Sequence, residues 1–138
     1  MIALDTNVLV RFLVEDDESQ SAAAAALIEE ALSHGEGLFV SEIVLCETVW
    51  VLSAAYRVKR PAVLSIIREL LRAKQLSFSS PDSLSRALNA FASGRGDFAD
   101  YLIREHARAA GCDHVVTFDR ALLDEPGFTA PGESRKRG

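Results

Sequence analysis

Short apolar runs alternate with longer amphipathic stretches along the whole chain. The runs at residues 2–4, 38–40, 76–78 and 114–117 each predict a short strand. The stretches between them predict helices at 6–14, from a Ser19 cap to 34, from a Ser41 cap to about 56, at 61–74, at 81–93 and at 97–110. Since these connections are about ten residues or longer, they predict crossovers and a mostly parallel, helix-covered sheet. The fold class is α/β.

Composition adds that the chain is an ordinary globular protein. It has 138 residues, of which 49% are hydrophobic and 25% charged, enough for one core without disulfides or structural metal. We expect a single domain over residues 1–130 and a polar, basic, frayed tail over 131–138. Cys46 and Cys112 lie far apart without a metal-binding spacing, so both are expected to be buried free thiols.

Charge is unevenly distributed along the chain. The net charge is -5, which argues against nucleic-acid binding through bulk positive charge. Residues 1–56 hold ten acids and one base, whereas residues 57–138 hold ten acids and fourteen bases. No apolar run reaches the roughly 18 residues of a membrane helix, so a cytoplasmic protein without a membrane partner is expected.

Several acids occupy positions where carboxylates are chemically informative. Asp5 and Asp119 each follow a predicted strand, and the carboxyl ends of parallel strands meet at one rim of a sheet. Glu47 lies in a helical stripe with Ile43 and Trp50, and Trp50 is expected to be a core residue, although a dimer interface is also possible. A further pair, Asp97 and Asp100, shares one face of the last helix.

Each acid taken singly has an ordinary explanation, but the set does not. An Asp after a strand commonly caps a helix, and Arg104 at i+4 could pair with Asp100. Converging carboxylates without matched bases would repel one another unless divalent cations neutralise them. Oxygen-only ligands favour Mg²⁺ or Mn²⁺, as one or two ions, and such sites hydrolyse phosphodiesters.

Four segments together resemble the PIN domain of VapC-type toxins. They are M-I-A-L-D-T-N-V-L at the start, V-S-E-I-V-L-C-E, D-F-A-D-Y-L-I and V-V-T-F-D. Each motif is weak alone, whereas all four in order at suitable spacing are specific. The resemblance covers about residues 2–123.

The resemblance implies a three-layer α/β/α fold and a Mg²⁺- or Mn²⁺-dependent endoribonuclease that acts on RNA. It also implies a type II toxin with a VapB-type antitoxin partner, and a homodimer. The implied catalytic and metal-binding acids are Asp5, Glu47, Asp100 and Asp119, with Asp97 as an additional metal-binding acid. Polar neighbours that would orient these carboxylates are Thr6, Asn7 and Thr117, although Asn7 could simply cap a helix.

RNA also needs positive charge near the site. Arg95, in a glycine-flanked turn beside Asp97, is the best single candidate for a phosphate contact, although it could equally pair with that acid. Arg68 and Arg72 share one helical face and are further candidates, although a solvated surface explains them as well. The three histidines have no catalytic spacing.

Two other functions remain open from the sequence. One is a PIN-like scaffold that binds RNA or protein without cutting, against which the complete set of acids argues. The other is a phosphoacceptor receiver domain, which needs a lysine at the end of a late strand. The three lysines, Lys59, Lys74 and Lys136, fall on predicted helical or tail segments instead.

Overall fold

The computed structural model describes residues 1–133, and the remainder of the expected basic tail, 134–138, lies outside the described residues. Contacts divide the chain into two compact units, residues 1–81 and residues 82–138. The first unit carries the N-terminal acids and the second carries the acids of the C-terminal half.

The first unit is a three-stranded sheet with four helices. Its elements are β1 (Ile2–Ala3), α1 (Thr6–Leu13), α2 (Glu18–Ser33), β2 (Leu38–Val40), α3 (Glu42–Ala54), α4 (Arg60–Arg72) and β3 (Leu76–Phe78). The strand order is β1-β2-β3 and both pairings are parallel. Leu38 stands at the centre, since it pairs with Ile2 on one side and Leu76 on the other.

The second unit contains α5 (Pro81–Ser93), α6 (Phe98–Ala109), β4 (Val115–Val116) and β5 (Phe128–Thr129). β4 and β5 form a parallel pair in which Val115 faces Phe128. The α/β class is confirmed. Within residues 1–133 the five strands form a three-stranded and a two-stranded sheet in place of the expected central sheet of four or five strands.

Capping explains most helix boundaries. The Ser41 hydroxyl accepts a hydrogen bond from the Val44 N–H at 3.2 Å, and Pro61 stands in the first turn of α4, as predicted. The expected Ser19 cap is wrong, because Asp17 caps α2 by accepting from the Gln20 N–H at 3.0 Å. Both side chains are good caps, and the aspartate comes first along the chain.

The inward face of α3 differs from the predicted one. Leu45, Thr48 and Leu52 are fully buried, whereas Ile43 and Trp50 are 73% and 67% exposed. The prediction that Trp50 is a core residue is therefore wrong, and the apolar stripe around Glu47 lies on the solvent side. The cause is that α3 is apolar on nearly every face, so periodicity alone does not identify the buried one.

A polar network ties α1 to the start of α2 and the end of α3. The Arg11 guanidinium contacts Asp16 at 2.7 Å, Gln20 at 2.7 Å and the Tyr56 hydroxyl at 2.9 Å. That hydroxyl donates to the second Asp16 oxygen at 2.6 Å, and this bond, together with Arg11, lowers the pKa of Asp16. The acidic run before α2 therefore serves capping and pairing.

Two further features bear on the predicted class of protein. None of the helices in residues 1–133 is both long and apolar enough to cross a bilayer. Cys46 is partly buried, but Cys112 is exposed, so the expectation of two buried thiols is wrong for Cys112. Cys112 directly follows Gly111, which ends α6 in a left-handed conformation with φ of +91° at the surface.

Candidate functional site

Thr6 connects the two predicted acids of the first unit. Its backbone N–H donates to Asp5 Oδ1 at 2.8 Å, which makes Asp5 the N-cap of α1. Its hydroxyl donates to Glu47 Oε1 at 3.2 Å. Thr6 is 7% exposed, whereas both carboxylates reach the surface. A buried threonine at the start of α1 thus orients an aspartate and a glutamate that are 42 positions apart in the chain.

The neighbours of this pair have other roles. Asn7 is exposed and lines a cavity of about 470 Å³ with Arg11 and Ala24, and it neither caps α1 nor bonds to Asp5 or Glu47. Burial raises the pKa of the Cys46 thiol to about 11, and the charge of Glu42 adds to the effect. Cys46 is therefore a neutral thiol near pH 7.

Asp97 and Asp100 begin α6 in the second unit. The Asp97 N–H donates to Asp100 Oδ2 at 2.9 Å, and the Asp100 N–H donates to the Asp97 carbonyl at 3.0 Å. Asp97 is the N-cap and is exposed, whereas Asp100 is half-buried. The D-x-x-D spacing thus closes the first turn of α6 and holds one Asp100 oxygen in place.

The electrostatics of this turn centre on Asp100. Partial burial raises the pKa of Asp100, and the charges of Asp97, Asp119 and Glu125 raise it further, against the opposing hydrogen bond from the Asp97 backbone. Three other carboxylates therefore act on one. Glu125 was missed by the sequence analysis because it belongs to an irregular stretch between β4 and β5 with no motif of its own.

Glu125 and Tyr101 hold the turn that precedes Asp97. Glu125 Oε1 accepts from the Arg95 N–H at 2.7 Å, and the Tyr101 hydroxyl accepts from the Gly96 N–H at 2.9 Å. A Cβ built on Gly94 would collide with the Tyr101 hydroxyl and lie 2.5 Å from the same Glu125 oxygen. The other oxygen, Glu125 Oε2, is buried and accepts no hydrogen bond from residues 1–133. Glycine at position 94 is therefore a packing requirement.

Asp119 lies on a turn after β4. Its N–H donates to the Thr117 hydroxyl at 3.0 Å, and its Oδ1 accepts from the Ala121 N–H at 2.9 Å. Thr117 thus contacts the backbone of Asp119 rather than its carboxylate. The side chain of Asp119 is exposed, and its second oxygen remains available to a ligand.

The local salt bridge that could have explained Asp100 is replaced by another one. Arg104 bonds to Glu105 at 3.3 Å and to the Pro126 carbonyl at 2.9 Å, with its guanidinium over the Tyr101 ring at 5.2 Å. Glu105 is 2% exposed and also binds Arg86 and Arg108, at 2.9 and 3.0 Å. These arginines are thus engaged by the structural Glu105, and within residues 1–133 no cation neutralises Asp100.

The predicted phosphate contacts are on the surface. Arg95 is exposed and makes no ion pair in the described part of the chain, so the alternative pairing with Asp97 does not form. Arg68 and Arg72 are exposed on α4, with Arg72 3.9 Å from Glu69. Their exposure agrees equally with a contact to RNA phosphates and with an ordinary solvated helix surface.

The carboxylate oxygens of these acids bear on which metal ion the protein could hold. Aspartate and glutamate oxygens suit a hard dication, and the mutual repulsion at Asp100 is the kind that a cation relieves. Across residues 1–133, however, no three carboxylate, imidazole or thiol groups are arranged to hold an ion. The chemistry of the carboxylate donors thus fits Mg²⁺ or Mn²⁺.

Comparisons with known proteins agree with the acidic motifs. The model of the PIN domain family matches residues 2–127. A VapC ribonuclease from Aquifex aeolicus (strain VF5) is 29% identical over 120 residues, which cover 87% of this chain and 88% of the relative. The match to the family model covers parts of both units and includes Asp5, Glu47, Asp97, Asp100, Asp119 and Glu125. The chain therefore belongs to the PIN domain family.

Proposed function

We propose that this protein is a divalent-metal-dependent endoribonuclease that hydrolyses RNA phosphodiester bonds. The observation that carries the proposal is the environment of Asp100, a half-buried carboxylate surrounded by the charges of Asp97, Asp119 and Glu125. A fold that keeps such a cluster without a cation is destabilised by it, which is the usual cost of a functional site. The similarity to a relative named VapC ribonuclease supports the same activity.

In this proposal Asp5, Glu47, Asp100 and Asp119 are the metal-binding and catalytic acids, and Asp97 is an auxiliary ligand. When bound, Mg²⁺ or Mn²⁺ would activate water and stabilise charge at phosphorus. Thr6 is assigned the orientation of Asp5 and Glu47 through its N–H and hydroxyl. Thr117 is assigned the placement of Asp119 through the backbone of the turn.

The first test is cleavage of RNA by the purified protein with Mg²⁺ or Mn²⁺, and its loss with EDTA. Asp5→Asn and Asp119→Asn should be inactive while retaining the wild-type circular dichroism spectrum. The matched control is Asp113→Asn, since Asp113 is an exposed aspartate outside both acidic groups. Unchanged cleavage in either site variant, or cleavage in EDTA, contradicts the proposal.

Metal binding has an independent readout. Calorimetric titration with Mn²⁺ should show binding to the wild type that Asp100→Asn weakens and Asp113→Asn leaves unchanged. RNA binding without Mn²⁺ binding or cleavage would instead identify a non-catalytic PIN-like scaffold.

We further propose that the nuclease is the toxin of a type II pair and forms a homodimer. The dimer is supported by Ile43 and Trp50, two large apolar side chains on the exposed face of α3. Trp50→Ser should lower the sedimentation coefficient.

The toxin role has its own test. Expression of the chain alone should arrest growth, and co-expression of a VapB-type antitoxin from a neighbouring reading frame should restore growth. Growth that is unaffected by the chain contradicts the toxin role.

A further inference from the structure

Phe118 is the most exposed large hydrophobic side chain in residues 1–133, at 88%. It directly precedes Asp119, one of the proposed catalytic acids, and directly follows Thr117. Burial of a phenylalanine ring would stabilise the fold, and the ring of Phe118 forgoes that burial beside a proposed catalytic acid, so its faces are free to contact a ligand that binds there.

The backbone on both sides of Phe118 is held by hydrogen bonds. On one side the Thr117 N–H donates to the Thr129 carbonyl at 2.9 Å. On the other side the Asp119 N–H donates to the Thr117 hydroxyl at 3.0 Å, and the buried Leu122 donates its N–H to the Asp119 carbonyl at 3.1 Å. The ring is therefore displayed from an anchored turn, which lowers the entropy cost of using it for binding.

The surroundings of the ring favour a planar, charged ligand over a protein. Between residues 114 and 121, Val116 is the only other large apolar side chain that is exposed, so this segment presents one aromatic ring among polar and charged residues and no continuous apolar stretch. Beyond Asp119 stands Arg120, an exposed cation that makes no ion pair in the described chain. An exposed aromatic ring and an exposed guanidinium two positions apart in the chain supply the two groups that recognise a nucleobase and its phosphate.

We propose that Phe118 is a stacking platform for an unpaired nucleobase of single-stranded RNA, next to the phosphodiester that the acids are proposed to cleave. The inference rests on the proposed function and deepens it by assigning a base contact to the site. Phe118 then determines which RNA conformation is accepted, since a base must leave its stack to reach the ring. Every base has a π-face, so the contact selects single strands rather than one sequence.

The test separates stacking from charge and from catalysis. Phe118→Trp in a Trp50→Phe background makes position 118 the sole tryptophan, because Trp50 is the one in the natural chain. Single-stranded oligoadenylate, without added metal, should quench its fluorescence. An abasic oligomer of equal length and charge should not. Quenching by both oligomers, or by neither, overturns the proposal.

Affinity measurements on the natural background supply the second arm. Phe118→Ala and Phe118→Leu should bind oligoadenylate about 5- to 150-fold more weakly, and Phe118→Tyr should bind like the wild type. Equal affinity of the alanine and wild-type proteins overturns the proposal. So does an Ala variant that changes only the sedimentation coefficient, because that result identifies Phe118 as a protein contact.

The fluorescence and affinity measurements also distinguish the proposed nuclease function from the proposed base contact at Phe118. If the wild type fails to cleave RNA with any metal but the fluorescence and affinity results hold, the nuclease function fails and the base platform stands. If cleavage is normal and quenching is absent, the platform fails alone.

Discussion

The two acidic groups of this protein are held in opposite ways. In the first unit, Asp5 and Glu47 both accept hydrogen bonds from Thr6, so the protein supplies donors to its own carboxylates. In the second unit, Asp100 receives one backbone donor, and its pKa is raised by partial burial and by the charges of three other acids. One group is oriented, whereas the other is electrostatically unfavourable.

This difference separates two tasks that a metal-dependent site must combine. Hydrogen bonds to carboxylates fix their direction, which a coordination shell requires. Uncompensated like charge creates affinity for a cation, because the ion removes a cost that the fold already bears. Changes at Asp100 should therefore act on metal affinity and stability together, while changes at Thr6 should act mainly on orientation.

Removing the charge at Asp100 should have the largest effect. We expect Asp100→Asn to lower RNA cleavage by at least about 100-fold. Loss of a residue that only hydrogen-bonds to a metal ligand typically costs about 10–100-fold, and loss of a ligand itself should cost more. A steady-state cleavage assay measures it, with Asp113→Asn as the control. Activity within a few-fold of wild type would remove Asp100 from the proposed ligands.

Removing the shared donor should have an intermediate effect. Thr6→Val deletes the hydroxyl that reaches Glu47 and should reduce cleavage by about 10–100-fold, and Thr6→Ser should restore it. The matched control is Thr129→Val, because the Thr129 hydroxyl is buried and makes no hydrogen bond within the described part of the chain. That variant should keep its activity and gain about 1 kcal/mol in the free energy of unfolding.

The turn before α6 should be sensitive to a single methyl group. Gly94→Ala introduces a Cβ against the Tyr101 hydroxyl and Glu125, and should lower the free energy of unfolding by about 1–3 kcal/mol. In Gly37→Ala the new Cβ makes ordinary contact with Met1 at 3.6 Å, so stability should hold. Urea denaturation of the two variants compares them, and equal midpoints would show that the turn is not tightly packed.

The smallest effect should be the pH dependence of stability without metal. The pKa of Asp100 is raised in the folded protein. The contribution of its protonated form to the free energy of unfolding is therefore fully present below the pKa of the unfolded chain, and it is lost as pH rises through the pKa of the folded protein. Asp100→Asn should therefore be more stable than wild type near pH 7 in EDTA, with the gap closing at about pH 3. Thermal denaturation at both pH values tests it, and a gap that widens on acidification contradicts it.

The local elements were predictable because their signals are local. The strands at 38–40 and 76–78, the Ser41 cap and the glycine turn at 94–96 each follow from a few adjacent residues. The acidic motifs were equally visible, and with them the PIN domain family. The assignment of these acids to metal and catalysis remains a prediction.

The tertiary structure decided which side chains are buried and which charged groups pair with one another. Trp50 was predicted to be buried and is exposed, since an all-apolar helix has no periodic face to read. Arg104 binds Glu105 and not Asp100, although both are within reach of it along α6. Glu125 joined the acids around Asp100 only through the path of the chain between β4 and β5.

By itself, then, the sequence determined the class of fold, the order of its elements from β1 to β4 and the acids of the four motifs, because apolar period, caps and turn residues act over a few positions. The strand β5 and the role of Glu125 were not predicted. Only the tertiary structure decided which partners each charge receives and which aromatic rings reach solvent. Those outcomes depend on contacts between residues distant in the chain, where burial and the competition between charges are settled.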